Sequence, residues 1–537
     1  MTDQRRFSLL DLPEACFTGC RRGIEREALR IGPDGRIAQS PHPAGLGAPL
    51  THPHFTTDYS ESLLEIVTSA QPTLRSLQAE LERLHAFVQE HLGEERLWPL
   101  SMPPSIRDEA EIPIARYGTS LQGLLRHRYR VGLAHRYGRF MQVIAGIHFN
   151  FSFPDLLWDQ AQPPGSPGPV AGHLRNGSYF SILRNFARNA WIPCYLFGAS
   201  PALCRSFSLA TRLGPTPWNP GTLYDPQATS LRMSDIGYRN KNQQKIRVSL
   251  NSLDEYVRTL SCATQIRDPD YRRIGIRSAD GTWRQLNDHV LQIENEYYSI
   301  ARPKALKHPG QRPLQSLRQG GVDYLEIRIL DVDPRSPLGV APETMAFLEV
   351  FLWWCLAEDS PPLSEDERFM NEGNLRLVAY EGRQPRLPIR DPGGFEPLET
   401  RLGRTLDALE PIAGHLTRVT GEPLYRKSLD LARARCRNPD ETPAAWVLRE
   451  MERLGAGHTD FGLEIARCHA HALAGIRIDA EDRAAFEAGA RQSVEDQERL
   501  EAAPGLSFED YLARFLEADP PVCPRTEGTP AFPPHFS

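Results

Sequence analysis

Three stretches of this chain alternate polar and apolar residues with period two, and their polar positions are unlike those of an ordinary solvated sheet. Side chains alternate across a strand, so residues two apart share a face. In YLEIRIL (324–330), Leu325, Ile327 and Ile329 make an apolar face, while Glu326 and Arg328 lie together on the other. In QVIAGIHFNFS (142–152), Val143, Ala145, Ile147, Phe149 and Phe151 are apolar, and Gln142, His148 and Asn150 share the opposite face. GIEREALR (23–30) adds Glu25 and Glu27. Singly, each is compatible with the wet face of a half-solvated antiparallel sheet. Together they present carboxylates, an imidazole, an amide and an arginine, with almost none of the Thr and Lys that line a solvated face. TTDYSESLLEI (56–66) contributes Asp58 near an expected helix N-terminus and Glu65 seven residues later, about two helical turns along one face. Five acidic residues and a histidine are then available to one concave site.

Carboxylates held close together repel one another unless cations intervene, and hard divalent ions such as Mg²⁺ prefer oxygen ligands and keep phosphate oxygens in their shell. A nucleotide-dependent enzyme follows as the natural expectation. The chain has no G-x-x-x-x-G-K-[ST] loop, and GLGAPL (45–50) lacks the rest of a dinucleotide fingerprint. Metals and arginines would have to carry the phosphates of ATP. A second group is aromatic and basic. RHRYRVGLAHRYG (126–138) holds Tyr129 and Arg130, SLRMSDIGYRNK (230–241) holds Arg232 and Tyr238, and LQIENEYYSIARPK (291–304) holds Tyr297, Tyr298, Arg302 and Lys304. Basic clusters usually belong to a solvated surface. Arg232, in the short apolar context TSLRMSD, is more suggestive, because a planar guanidinium fork suits an α-carboxylate.

Composition narrows the field. With 537 residues, 40% hydrophobic, the chain can bury a substantial core. Its 62 Lys plus Arg against 68 Asp plus Glu give a net charge of -6, which argues against a nucleic-acid partner held by bulk electrostatics. The N-terminus lacks the apolar core of a signal peptide. The most apolar window, FLEVFLWWCLA (347–357), is interrupted by Glu349 and too short to span a bilayer, so a cytoplasmic protein without membrane contact is expected. Nine scattered cysteines do not form a disulfide framework, and Cys16 and Cys20 form a lone C-x3-C without a second pair, which reads as ordinary thiols rather than a zinc site.

Strand-like and helical runs alternate over 1–395, expected to be a catalytic α+β region. Residues 396–518 read as a mainly helical C-terminal region packed on it. QPPGSPGPV (162–170), GPTPWNPG (214–221) and RPKALKHPGQRP (302–313) read as loops. The last nineteen residues, 519–537, contain six prolines and no periodicity and read as a disordered tail.

The ordered set GIEREALR, LTHPHFTTDYSESLLEIVT, RLWPLSMP, ARYGTS, YRVGLAHRYG, QVIAGIHFNFS, YLFGASPA, TSLRMSDIGY, LQIENEYY with ARPK, and GVDYLEIRILDVDP with SPLGV resembles the proteobacterial type 1 glutamate–cysteine ligase (γ-glutamylcysteine synthetase) family. The resemblance runs from about residue 20 to about residue 518. It implies an α+β, glutamine-synthetase-like fold: a curved, mainly antiparallel sheet forming an active-site funnel, surrounded by helices. It also implies the reaction. ATP phosphorylates the γ-carboxyl of L-glutamate, and the amine of L-cysteine displaces phosphate to give γ-glutamylcysteine and ADP, the first step of glutathione biosynthesis. The implied cofactors are ATP and Mg²⁺, with Mn²⁺ as an alternative ion, and a monomer is expected.

Carried over residue by residue, Glu25, Glu27, Asp58, Glu65, His148 and Glu326 resemble the magnesium ligands. Glu326 and Arg328 are the expected catalytic pair, with Arg328, Arg302 and Lys304 toward the nucleotide phosphates. Arg232 resembles the residue that grips the glutamate α-carboxylate, with Gln142 and Asn150 around its amino group. Tyr129, Tyr238 and Tyr298 resemble the walls of the cysteine pocket, with Arg130 and Leu133 nearby. Tyr59 stands where the family pattern has Phe, which bears on pocket polarity. Two rivals remain open at this point: another ATP-dependent glutamate–amine ligase of the same fold, and a catalytically silent nucleotide-binding relative. The tyrosine-lined pocket favours an amino-acid acceptor, and the intact set of candidate ligands favours catalysis.

Overall fold

The computed structural model describes residues 12–160, 170–208, 216–237, 246–306, 311–503 and 505–517. In chain order the strands are β1 (Arg21–Ile31), β2 (Phe55–Thr57), β3 (Leu63–Val67), β4 (Arg96–Leu97), β5 (Ile147–Ser152), β6 (Ala202–Cys204), β7 (Thr216–Asn219), β8 (Thr222–Tyr224), β9 (Ala301–Lys304), β10 (Tyr324–Leu330), β11 (Pro388–Asp391) and β12 (Gly394–Pro397). The helices of the first part are α1 (Ala15–Thr18), α2 (Leu74–His91), α3 (Leu121–Tyr137), α4 (Asp155–Gln160), α5 (Val170–Asn189), α6 (Trp191–Phe197), α7 (Arg205–Ser208), α8 (Leu253–Ala263), α9 (Pro269–Ile274) and α10 (Pro313–Gly320). They are followed by α11 (Pro342–Ala357), α12 (Glu365–Glu381), α13 (Leu398–Thr420), α14 (Leu424–Arg437), α15 (Pro443–Leu454), α16 (His458–Ala474), α17 (Ala480–Ala502) and α18 (Phe508–Glu517).

The principal sheet runs β2-β3-β1-β5-β10-β9, with β4 pairing β1 off this path. Every pairing in it is antiparallel. The period-two pattern decides which face is dry. Ile24, Phe149, Phe151, Leu325 and Ile327 are all at most 1% exposed and merge into one core with Phe347, Phe351 and Trp353 of α11. On the β2–β3 side, Phe55, Leu64 and Ile66 pack with Leu84, Phe87 and Val88 of α2. The same main core takes in Leu402, Leu406 and Leu409 of α13 and Leu429 of α14, so the C-terminal helices bury their apolar stripes against the part of the chain that carries the sheet. No helix of the described residues is long and apolar enough to cross a membrane.

Four local expectations are corrected. Residues 55–67 are not a helix but a β2–β3 hairpin, with Thr56 opposite Glu65. Its turn is closed by the Asp58 amide donating to the Leu63 carbonyl (3.0 Å) and a Ser60–Ser62 hydroxyl contact of 2.8 Å, the local serine bonding that competes with helix. Gln142 does not share the strand face of His148: Phe140–Val143 is a 3₁₀ turn, and β5 starts only at Ile147. The Ala145 amide bonds the Ser101 carbonyl instead, and the Gly146 amide donates to Glu27. In the segment read as the loop 214–221, Thr216–Asn219 is β7, paired with β8. In the segment read as the loop 302–313, Arg302–Lys304 belongs to the edge strand β9, where Pro303 can sit because its missing donor faces away from the single neighbour, β10. The expected loop 162–169, Tyr238 and the tail 519–537 lie outside the described residues.

Cys16, Cys20, Cys194, Cys204, Cys355, Cys436 and Cys468 are free thiols. Cys16 and Cys20 are fully buried, and the Cys20 thiol points at the Cys16 carbonyl at 3.9 Å. Burial raises both thiols' pKa values, which suits packing rather than metal ligation.

Candidate active site

Antiparallel register turns the alternating strands into a stripe of functional groups. Glu27 of β1 stands opposite Glu65 of β3, and Glu25 stands opposite His148 of β5. Asn150 of β5 faces Glu326 of β10, which faces Arg302 of β9. Directly opposed residues project to the same side with Cβ atoms about 4.5–5.5 Å apart. One ligand atom from each of Glu25, Glu65 and His148 lies within 4.8 Å of the other two. His148 Nδ1 is 3.1 Å from Glu25 Oε2, and its Nε2 is 3.4 Å from Glu27 Oε1. The Asn150 amide donates to Glu25 Oε1 at 2.7 Å.

The electrostatics divide the stripe in two. Burial raises the pKa of Glu65, and the charges of Glu25, Asp58 and Glu27 raise it further. Glu27 is raised chiefly by burial as well. These acids crowd together with too little positive charge around them. At the other end, burial opposes ionisation of Glu326, but Lys304, Arg328 and Arg302 overcome it and hold the carboxyl well below its usual range. Lys304 Nζ is 2.9 Å from Glu326 Oε1, and Arg328 Nη1 is 3.4 Å from Glu326 Oε2. Glu25, despite burial and the Glu326 charge, is drawn down to about 2 by His148 and Lys304. A donor set of hard carboxylate oxygens with one imidazole, unneutralised at the Glu65 end, fits divalent cations.

Asp58 joins this group electrostatically from the β2–β3 turn; its own carbonyl accepts from Arg130 Nε, from the middle of α3. Tyr129, beside Arg130, lies half-buried within the fields of Asp58 and Arg302. The Tyr298 ring lies 6.0 Å from the Arg328 guanidinium, so α3 and the 294–298 segment flank the stripe. Leu133 is buried in the core one turn from Tyr129. Arg302 ties the sheet edge to this segment by donating to the carbonyls of Asn295 (3.3 Å) and Tyr297. Tyr59, 2% exposed, sits in the main core, and its hydroxyl has no hydrogen-bond partner among the described residues; its charged neighbours are Arg139, Glu109 and Arg130.

Two positioning features escaped the sequence reading. Asp331, just beyond β10, accepts from Ser200 Oγ (2.6 Å), Ser230 Oγ (2.9 Å) and the Ala199 amide (2.8 Å), and lies 3.8 Å from Arg232 Nη1. Arg232, 1% exposed, also donates to the Arg328 carbonyl at 2.9 Å, which fixes its guanidinium beside the stripe. Gly146 admits that arrangement: a Cβ there would come within 2.2 Å of Arg232 Nη2, while its amide donates to Glu27 Oε2 at 2.7 Å. The glycine in IAGIH was the available signal. Next to the stripe, with Arg232 and Tyr298 in its wall, is a cavity of about 650 Å³ also bounded by Phe186, Val248, Tyr256 and Phe369.

Comparisons with known proteins point to one family. The sequence model of the glutamate-cysteine ligase family matches residues 9–378. Glutamate–cysteine ligase of Alcanivorax borkumensis is 43% identical over 521 residues, spanning 96% of this chain and 99% of its own. That of Azotobacter vinelandii is also 43% identical, over 95% and 97% of the two chains. The crystal structure of glutamate–cysteine ligase from Francisella tularensis in complex with AMP superposes with a TM-score of 0.86 at 33% identity, covering 93% of this chain and 98% of the other. A bifunctional glutathione synthetase from Pasteurella multocida shares the fold at a TM-score of 0.68 and 24% identity, over 88% and 54% of the chains. With its full-length relatives, its sheet and its stripe of carboxylates, the chain belongs to the glutamate–cysteine ligase family.

Proposed function

We propose that this protein is an ATP-dependent glutamate–cysteine ligase: it joins the γ-carboxyl of L-glutamate to the amine of L-cysteine through γ-glutamyl phosphate, releasing ADP and phosphate, as the first step of glutathione biosynthesis. The observation that carries the reading is the continuous stripe of Glu65, Glu27, Glu25 with His148, and Glu326 across β3, β1, β5 and β10, bordered by Arg328, Lys304 and Arg302. Glu25, Glu27, Asp58, Glu65, His148 and Glu326 would hold Mg²⁺, or Mn²⁺ in its place. Bound divalent ions supply neutralisation of the ATP phosphates and of charge developing in phosphoryl transfer.

The protein's own residues do the rest. Arg232, braced by Asp331 and the Arg328 carbonyl, offers a fixed fork to the glutamate α-carboxylate. Asn150 lies on the same face toward its amino group. Arg328 and Lys304, held at the Glu326 carboxylate, lie where the phosphoryl passes, with Arg302 behind them. Preorganised donors of this kind stabilise a transition state without reorganising during the reaction. The 650 Å³ cavity with Arg232 and Tyr298 in its wall is of a size and apolar character suited to the nucleoside. Tyr129 and Tyr298, with Arg130 behind, wall the acceptor amine. The enzyme works as a cytoplasmic monomer on small molecules, without nucleic acid or membrane; the net charge of -6 argues against a nucleic-acid partner held by bulk electrostatics.

The test is an ADP-release assay with glutamate and a panel of amines, with and without Mg²⁺. Release should be greatest with cysteine and should vanish when the cation is chelated. A small thiol in an aromatic pocket gains only about 1–3 kcal/mol over an altered side chain, so α-aminobutyrate should serve as a poor substitute. Complete failure of α-aminobutyrate at every concentration would refute an apolar acceptor pocket. Turnover equal with ammonia or a polyamine would favour a different glutamate–amine ligase.

A further inference from the structure

The segment before Tyr298 is held by a buried polar network that the chemistry above does not use. Arg136 and Glu296 pair at 3.0 Å with side chains 0% and 1% exposed. Glu296 Oε1 also accepts from the Tyr137 hydroxyl, and Oε2 accepts from the Gln292 amide at 2.7 Å. Arg136 spends its other donors on Gln285 Oε1 (2.9 Å) and the Asn287 carbonyl (2.7 Å), with its guanidinium 4.0 Å from the Tyr271 ring centroid. The bonds of Arg136 and Tyr137 to Gln285, Asn287 and Glu296 join the C-terminal turn of α3 to residues 285–296, and the Gln292–Glu296 bond braces that segment internally.

The network reaches the acceptor wall directly. Gln292 Nε2 donates to the Tyr129 carbonyl at 3.2 Å, in the middle of α3. Its amide lies so close to the helix that a Cβ on Gly132 would come within 2.1 Å of Gln292 Oε1. A glycine inside a helix costs about 1 kcal/mol relative to alanine, and here it provides the room for that amide. Thus Tyr129 on one side and Tyr298, two residues after Glu296, on the other are spaced by a single clasp.

We infer that Glu296 and Arg136, acting with Gln292, are positioning residues that set the separation of the Tyr129 and Tyr298 walls, and so the affinity for the acceptor amino acid. The inference rests on the assignment of these tyrosines to the acceptor pocket. A fully buried, multiply hydrogen-bonded ion pair is no cheaper than an apolar pair of similar volume, so its use points to geometric specification rather than to stability. Displacing the Tyr129 wall by a fraction of an ångström weakens binding of the amine, whereas Tyr298, near Arg328, is held a second time by Arg302 through the Asn295 and Tyr297 carbonyls, so the Glu326–Arg328 end of the stripe keeps its own support.

The test is the kinetics of Arg136→Met/Glu296→Gln, which removes both charges and avoids leaving one buried alone. The expected result is a rise of about tenfold in KM for cysteine, with KM for glutamate and ATP within about twofold and kcat at saturating cysteine within about threefold, the pattern of lost uniform binding of one substrate. An unchanged KM for cysteine, or a parallel loss in all three KM values and in kcat, would overturn the proposal. Tyr129→Ala is run beside it. If that variant leaves the cysteine KM unchanged, the pocket assignment itself falls; if it raises the KM while the double variant does not, only the clasp is wrong. Should the double variant fail to fold, Gln292→Ala decides: severing the link to the Tyr129 carbonyl should raise the cysteine KM by about threefold, and no change sinks the proposal.

Discussion

Glu326→Gln is expected to lower the ligation rate by about 10³-fold while leaving the protein folded. The carboxylate sits at the junction of two systems. On one side it meets Lys304 at 2.9 Å and Arg328 at 3.4 Å; on the other it belongs to the oxygen donors proposed to hold Mg²⁺. Replacing it by an amide keeps shape and an acceptor for Lys304, but it withdraws one negative charge from the ligand set and releases Arg328 from its anchor. Both effects fall on the phosphoryl-transfer step. Stability should change little, because Lys304 and Arg328 keep 24% and 17% of their side-chain surface in solvent and do not become isolated buried charges. The measurement is ADP release across a Mg²⁺ titration, with circular dichroism as the check on folding. Turnover near that of the parent at ordinary Mg²⁺ would remove Glu326 from the site.

The parts of the site legible in the sequence are those on strands long enough to show a period. Glu25, Glu27, His148, Asn150, Glu326 and Arg328 lie on strands of six to eleven residues, and alternation assigns each to a face without knowledge of the partner strand. Asp58 and Glu65 were recognised as chemistry but placed on the wrong scaffold. Their spacing of seven fits two turns of helix as well as it fits a hairpin, and β2 and β3, at three and five residues, are too short to reveal a period. Gln142 failed for the opposite reason: alternation continues through 142–145, but the Ala145 amide is committed to Ser101 and the Gly146 amide to Glu27. Only tertiary contacts decide that. The Arg136–Glu296 clasp was invisible because ENE before a tyrosine pair reads as a solvated turn until Arg136, 160 residues earlier, is seen to be its partner.

Glu349 shows how far the same difficulty reaches into the core, and it carries the largest expected effect on stability. Within FLEVFLWWCLA it looked like a simple interruption of an apolar run. In the structure it is 0% exposed on α11 and accepts two hydrogen bonds from Arg22, at the start of β1: Nε to Oε2 at 2.7 Å and Nη2 to Oε1 at 2.5 Å. Arg22 spends Nη1 on the carbonyls of Cys20 (3.1 Å) and Pro72 (2.5 Å). Burial and the Glu349 charge together raise the Tyr425 hydroxyl of α14, which also hydrogen-bonds Glu349. One carboxylate thus joins α11 to α14 and to β1, which it meets at Arg22, three residues before Glu25. Glu349→Ala leaves the Arg22 guanidinium buried without its counter-charge and should cost about 3–5 kcal/mol. Arg22→Met/Glu349→Met removes both charges and should recover most of that loss, since an apolar pair of similar volume is often neutral or stabilising. Urea denaturation reads both: the midpoint of Glu349→Ala falls sharply, and that of the double variant returns toward the parent. If the double variant is as unstable as the single, the loss comes from packing volume and not from a stranded charge.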